Sequence, residues 1–574
     1  MKKVTKYLIL LYIIFVIVKI LLSSFIDVPG PYSDYYVYNE MARSFITSGT
    51  FDIHGIPSHQ NPPLYPIFIS LAYLFKDMTV VFFFIKVINS ILSSLIIFPA
   101  FLLAKEFLND KKSLLFAILV SVIPTNLSFA QYIMSENLFY TLFLFSIYFL
   151  YKSYISKDYK FDVLAGLFIG LTILTRLIGV ILIPTFLLSA LIYAILNKKL
   201  EIKKRSVVFL TLTLAGLPWI FRNGLNFGFK LDGVLASPQV YEATAFTKVY
   251  SLESFATLFI FYIAYLIIST GFFPFILNLK LIKNIFKKSN INYFLIISFS
   301  AILSSLVIMA NHNSGRLNIF PTLFFWFSGK IIGRYADMVL PLIFLNAFIV
   351  IFLYKFYLKN LKYPLIITSL VILFSSQIIF IALLPTNNLT LSWVGFSNLA
   401  INYFFYGKLI VERFFSWPSL IILTAVFLGL IYFAKYLIKN IDLKKVLVFL
   451  VFFFVVVSVS NYAYNYSYNN IYWTNSEQTK LGQWFNEYDK DQTSNVLFDV
   501  RDNGPINKNQ QESIYSGNAE LQTSTIIGFW MNDNIVIDDV ENVENIDYIV
   551  SKHELDYSIL YETNNGIYLY KIKS

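Results

Sequence analysis

Apolar runs of membrane length alternate with short polar connections along most of the chain. They fall at about 6–26, 78–104, 113–130, 136–152, 162–177, 178–196, 206–221, 254–279, 291–310, 339–354, 363–384, 417–435 and 446–461, which predicts about 13 crossings of a ~30 Å hydrocarbon layer. The stretch 162–197 is too long for one span and short for two, and Thr175-Arg176 interrupts it, so it reads as two short helices meeting at the outer face. The opening run follows Lys2, Lys3 and Lys6 and is ~20 residues long, more than the core of a cleaved signal. It predicts a signal anchor with a cytoplasmic N-terminus.

Alternate connections carry the lysines: Lys105, Lys111 and Lys112, then Lys198, Lys199, Lys203, Lys204 and Arg205, then Lys283, Lys287 and Lys288. Positive charge marks the cytoplasmic side. Parity then places outside the loop 27–66, the connections 127–135, 222–253, 311–338 and 385–416, and everything from Asn461 onward. This last stretch changes character, with acidic and Asn-rich turns between short β-rich runs. Thr474 and Glu477 have capping-box spacing ahead of a helix through Trp484, and the strand candidates are Asn495–Val500, Thr525–Trp530, Asp547–Val550, Tyr557–Tyr561 and Gly566–Ile572. The expected organisation is an α-helical polytopic membrane domain over 1–461 and a small extracytoplasmic α/β domain over 462–574, in the cell membrane.

Composition agrees with this class: 57% of the residues are hydrophobic and 14% charged. With no cysteine, disulfides, thiolate zinc sites and cysteine nucleophiles are excluded. The net charge of +11 is a topology signal rather than a nucleic-acid one, because roughly 17 acidic against roughly 7 basic residues follow Asn461. No P-loop, GxGxxG, HExxH or solenoid repeat is present.

Chemistry concentrates in the loop 27–66, which sets Asp34, Glu40, Asp52, His54 and His59 beside the membrane, where ionisable groups need partners or work. Ser33 or Asp34 caps a helix there, with Asp34, Tyr38 and Met41 on one face. A carboxylate at that position serves either as a plain N-cap or as a base for an acceptor hydroxyl. His59-Gln-Asn-Pro62-Pro63-Leu64-Tyr65-Pro66 predicts a stiff, extended re-entry into the membrane, either a site wall or a helix-entry device. Among the few basic residues in outer loops, Arg222, Lys330 and Arg334, the last followed by Tyr335, suit phosphate oxygens, and equally suit snorkelling to lipid headgroups. Glu136 caps a helix or pairs with a cation, and Arg176 pins the bundle or serves the site. His54, His59 and Asp52 lack the spacing of a metal set, so no metal is expected, with a divalent cation as the lesser alternative.

The order Asp34, Pro62-Pro63-Leu64-Tyr65-Pro66, Ser135-Glu136-Asn137-Leu138-Phe139, Gly170-Leu-Thr-Ile-Leu-Thr175-Arg176, Pro218-Trp219-Ile-Phe-Arg222-Asn223 and Gly333-Arg334-Tyr335 resembles the GT-C glycosyltransferases, in their protein-mannosyltransferase and aminoarabinose-transferase-like branch. The resemblance covers Met1 to about Asn461. It implies an inverting hexosyl- or pentosyltransferase that moves a sugar from a polyprenyl-phosphate carrier to a glycan, lipid or protein acceptor on the outer face, without a cofactor. It implies Asp34 as general base, or as the carboxylate that orients the acceptor, and Arg222, Lys330, Arg334 and Tyr335 as donor-phosphate ligands. Tyr38, His59, Pro62, Pro63, Tyr65, Glu136 and Arg176 are then site-lining. One departure is Asp34-Tyr35, where the aminoarabinose branch often has an acidic pair. The competing readings are a flippase of lipid-linked sugars, which would place polar groups near the midplane of related halves, and a non-catalytic scaffold subunit.

Overall fold

A computed structural model describes residues 2–30, 33–58, 61–230, 252–282, 289–314, 318–320, 326–328, 331–353, 362–379, 385–407, 416–440, 443–490, 494–499, 501, 526–531, 534–538, 540 and 545–572. Among them, ten helices are long and apolar enough to cross a membrane, from Lys3–Ser23 to Lys445–Tyr472, and eleven if the bent pair Asp110–Val122 and Pro124–Gln131 forms one span. Thirteen were expected. The helices Lys160–Thr175 and Lys362–Ile379 account for two expected crossings that are not among the ten.

Local chemistry explains where the helices start and break. Asp77 caps Met78–Ser94 by accepting from Thr79 N at 2.7 Å. That span breaks at Leu95 and Ile96, because Pro99 withholds the N–H that would continue the ladder. Ile123 is extended ahead of Pro124 at a helix start, and the two helices there meet at 62°. Lys160–Thr175 stops because Arg176 is extended, at φ −157° and ψ 132°.

The bundle has one continuous apolar core, whereas peripheral helices such as Ile202–Phe227 expose Phe209, Leu210, Leu214 and Leu217 outward, as lipid contact requires. Leu443–Tyr472, at 30 residues, is about 45 Å long and outruns a ~30 Å hydrocarbon layer. Its last turns carry asparagines at i, i+4 and i+8. Asn461 donates to Leu389 O, Asn465 to Gln131 Oε1 and Asn469 to Val28 O, each at 3.0 Å. These bonds tie three connections together at one end of the bundle.

The same end bears two hairpins, β1 (Asp52–Ile53) with β2 (Ile56–Pro57), and β3 (Asn318–Phe320) with β4 (Trp326–Ser328). A five-stranded sheet follows, in the order β6-β5-β7-β9-β8: β5 (Asn495–Asp499), β6 (Asn534–Asp538), β7 (Tyr548–Ser551), β8 (Ser558–Glu562) and β9 (Tyr568–Lys571). β5 lies parallel to both β6 and β7, and the other pairs are antiparallel. Leu481 and Phe485 of the helix Glu477–Tyr488 cover one face with Ile527 and Met531; Ile546 and Tyr570 close the other.

Three expectations change here. Residues 526–530 are helical, not a strand, since a short apolar run does not distinguish the two and this one packs on both sides. β6 was not anticipated. The helix cap is Ser476, whose Oγ accepts from Thr479 N at 3.2 Å, and not Thr474, whose hydroxyl turns back to Asn469 O.

Candidate active site

Asp34 lies in the first turn of the helix Ser33–Ser48, whose front face buries Tyr35, Tyr38, Met41 and Ala42. The hydroxyls of Tyr38 and Ser135 share a hydrogen bond of 2.8 Å. The Tyr38 ring stands edge-on to Tyr65 at 5.1 Å, and Tyr65 in turn donates to Asn89 Oδ1 at 2.9 Å. Tyr65 follows Pro62 and Pro63, and Pro63 already has helical dihedrals, φ −82° and ψ −18°. The proline run therefore launches the helix Leu64–Ile69 directly, where an extended re-entry was expected.

Four charged side chains from four distant parts of the chain alternate in sign. Arg334 Nη2 lies 3.4 Å from Asp34 Oδ2, and its Nε lies 3.5 Å from Glu136 Oε1. Glu136 Oε2 accepts from Arg176 Nη1 at 2.7 Å, and that nitrogen also reaches Ser135 Oγ at 3.0 Å. The side chains of Glu136, Arg334 and Arg176 are 1%, 9% and 10% exposed, but Asp34 is 36% exposed. It is the most exposed member of the row.

Backbone geometry aims each arginine. The extended residue at the end of Lys160–Thr175 turns Arg176 toward Glu136. Arg334 sits in the short 3-10 turn Gly333–Tyr335: its N–H donates to Asn387 O at 2.9 Å, its carbonyl accepts from Tyr140 Oη at 2.7 Å, and Nη1 meets Met134 Sδ at 2.6 Å. A Cβ at Gly333 would fall 2.2 Å from the Tyr265 ring, so only glycine lets this turn seat. The Tyr335 ring lies 5.2 Å from the Arg176 guanidinium and 5.7 Å from that of Arg334.

Of the residues singled out in the sequence, Asp34, Tyr38, Tyr65, Glu136, Arg176, Arg334 and Tyr335 converge. Lys330 and His59 lie outside the described residues. Arg222 serves the first loop: it donates to Ser58 O, to Phe51 O at 3.2 Å and to Asn223 Oδ1 at 3.1 Å, approaches Asp52 at 3.7 Å and covers Trp219 at 4.8 Å. Glu40 pairs with Arg43 at 3.1 Å on the back of the Asp34 helix, and burial raises its carboxyl above the usual range, with Arg43 pulling the other way. His54 shares a 2.8 Å hydrogen bond with Tyr36 Oη; burial, then Arg43, push its imidazole down to about 3. Among the described residues no three His, Asp or Glu side chains group as a metal site.

Sequence reasoning missed Asp337. This buried carboxylate accepts from Tyr265 Oη at 2.9 Å, Thr390 Oγ1 at 3.0 Å and Thr125 Oγ1, and so locks the segment that presents Arg334 to three other elements. An acidic residue at the mouth of an apolar span was the available signal.

The described residues thus form a multi-pass bundle with a buried row of alternating carboxylates and arginines at one end. The family model of the dolichyl-phosphate-mannose-protein mannosyltransferases matches residues 60–221. ArnT from Cupriavidus metallidurans bound to undecaprenyl phosphate is similar over 99% of this chain and 98% of its own, at 14% identity and a TM-score of 0.57. Its apo state gives the same coverage and identity with a TM-score of 0.53. The apo Archaeoglobus fulgidus oligosaccharyltransferase aligns over 94% of this chain and 69% of its own, at 12% identity and a TM-score of 0.45. No curated protein matches the chain.

Proposed function

We propose that the protein is an inverting glycosyltransferase that moves a sugar from a polyprenyl-phosphate carrier to an acceptor on the outer face of the membrane. The observation that supports this most is the placement of Asp34 as the exposed end of a row whose interior holds two arginines. In a single displacement the acceptor oxygen attacks the anomeric carbon, the bond from that carbon to the phosphate oxygen breaks, and its electron pair leaves with the polyprenyl phosphate. Asp34 takes the acceptor proton. Arg334, held at 3.4–3.5 Å by its carboxylates rather than in tight pairs, turns toward the phosphate as charge develops on it, and Tyr335 frames that movement. Arg176 stays with Glu136 and keeps it oriented.

In this reading lysine parity puts the Asp34 end outside and the N-terminus in the cytoplasm, the donor is drawn from the surrounding lipid, and no metal takes part. ArnT binding undecaprenyl phosphate in the same fold supports the class of carrier. Sugar and acceptor are read from the cell: a strain lacking the protein should accumulate one polyprenyl-phosphate sugar and lose one glycan modification. An unchanged lipid-linked sugar pool would overturn the proposal.

A further inference from the structure

The Asp34 helix has a second buried face. Tyr36, Glu40 and Arg43 repeat at i, i+4 and i+7 on its back, and Asn39 between them is fully buried. Tyr36 lies about 200° around the axis from Asp34, so whatever bears on Tyr36 pushes the helix toward the Arg334 side.

What bears on it is the helical turn 526–530 of the terminal sheet region. An added Cβ at Gly528 would stand 2.8 Å from Tyr36 Oη, 3.4 Å from Tyr36 Cε2 and 3.2 Å from Ile535 Cδ1. Beside it, Phe529 and Trp530 enter the core of the helical bundle, Phe529 edge-on to Phe82 at 5.7 Å, while Ile527 and Met531 belong to the core under the sheet. Asn486 Oδ1 adds a bond from Met78 N at 3.2 Å. Tyr36 is itself held by His54 of the first-loop hairpin, which Arg222 and Trp219 fasten from another helix. The turn therefore bridges the sheet to the membrane core with its glycine seated on the Asp34 helix.

We propose that this turn is a positioning element for Asp34: Gly528 sets how closely the sheet region seats on Tyr36, and thereby where the carboxylate stands relative to the acceptor. The proposal rests on the reading of Asp34 as the base. It assigns the terminal region a role in turnover. The phosphate-facing arginines come from other elements, so the effect falls on turnover and spares carrier binding.

The test uses the full chain, whose lack of cysteine allows a single thiol to report position. With Asp34→Cys as parent, the rate of labelling by a charged, membrane-impermeant maleimide is compared with and without Gly528→Ala. The added methyl should change the rate at least about threefold, and Tyr36→Phe in the same chain, which removes the atom at 2.8 Å, should return it toward the parent. With Asp34 intact, Gly528→Ala should lower sugar release from extracted polyprenyl-phosphate sugars about tenfold or more. Undecaprenyl phosphate should bind as in the unmodified protein, and Tyr36→Phe should restore release. Phe529→Leu, which loosens the seat without a clash, should shift labelling too and serves if Gly528→Ala does not fold. Unchanged labelling in the folded variants, or equal losses of turnover and carrier binding without rescue, would overturn the proposal. A labelling shift in a protein that transfers no sugar would keep the coupling and reject the enzymatic reading.

Discussion

Replacing Glu136 tests whether the charged row is one electrostatic unit. The side chain is 1% exposed and touches Arg176 at 2.7 Å and Arg334 at 3.5 Å, so Glu136→Ala leaves two guanidiniums close together with their common anion gone. Breaking a buried pair in this way costs about 3–5 kcal/mol, most of it from the cation left uncompensated. Arg176→Met should cost less, about 2–3 kcal/mol, because it removes the 2.7 Å partner of the buried carboxylate and leaves it Arg334 at 3.5 Å. The double variant removes both charges, and its cost should fall short of the sum by about 2–3 kcal/mol. The assay is denaturant unfolding of the purified protein in detergent, followed by circular dichroism, for the wild type, both single variants and the double. Additive costs, or a single-variant cost within the ~0.5 kcal/mol of ordinary surface substitutions, would refute the electrostatic account.

Gly333→Ala should reduce transfer and cost about 1–3 kcal/mol, since the new methyl falls on the Tyr265 ring at 2.2 Å and must displace the turn carrying Arg334; thermal unfolding and turnover measured together check this. His54 is neutral in the folded chain with its imidazole lowered to about 3, whereas the unfolded chain binds a proton below its ordinary value of 6.5. Its contribution is therefore complete above pH 6.5 and is lost as pH falls toward 3, at up to about 1.4 kcal/mol per unit. His54→Gln should flatten that limb of the stability–pH curve with Tyr36 and Arg43 unchanged beside it; an unchanged slope would exclude it. Transfer should be insensitive to a strong chelator of divalent cations, and activity restored by added metal would show that the row works with an ion.

The membrane class and the fold were legible because apolar runs of span length and lysine parity are one-dimensional signals. The convergence of Asp34, Glu136, Arg176 and Arg334 was legible in part, since each is an ionisable residue at the mouth of a span. Their pairing was not, because it depends on an extended residue at Arg176 and a turn that only Gly333 permits. Arg222 shows the opposite case. Its place at a helix end predicts a phosphate ligand and a snorkel equally well, and only the fold reveals carbonyl oxygens of the first-loop hairpin within its reach. The terminal region was readable strand by strand except at β6, which was not anticipated, and at 526–530, whose helical form depends on contacts with two cores at once.

The most direct measurement is sugar transfer by the reconstituted protein and its Asp34→Asn variant, using polyprenyl-phosphate sugars extracted from cells lacking the protein. Wild-type protein should release polyprenyl phosphate in step with acceptor glycosylation. Asp34→Asn should fall at least about 100-fold while retaining its melting temperature and its binding of undecaprenyl phosphate. Wild-type turnover in the asparagine variant, or carrier movement across vesicles without any glycosylated product, would contradict the account.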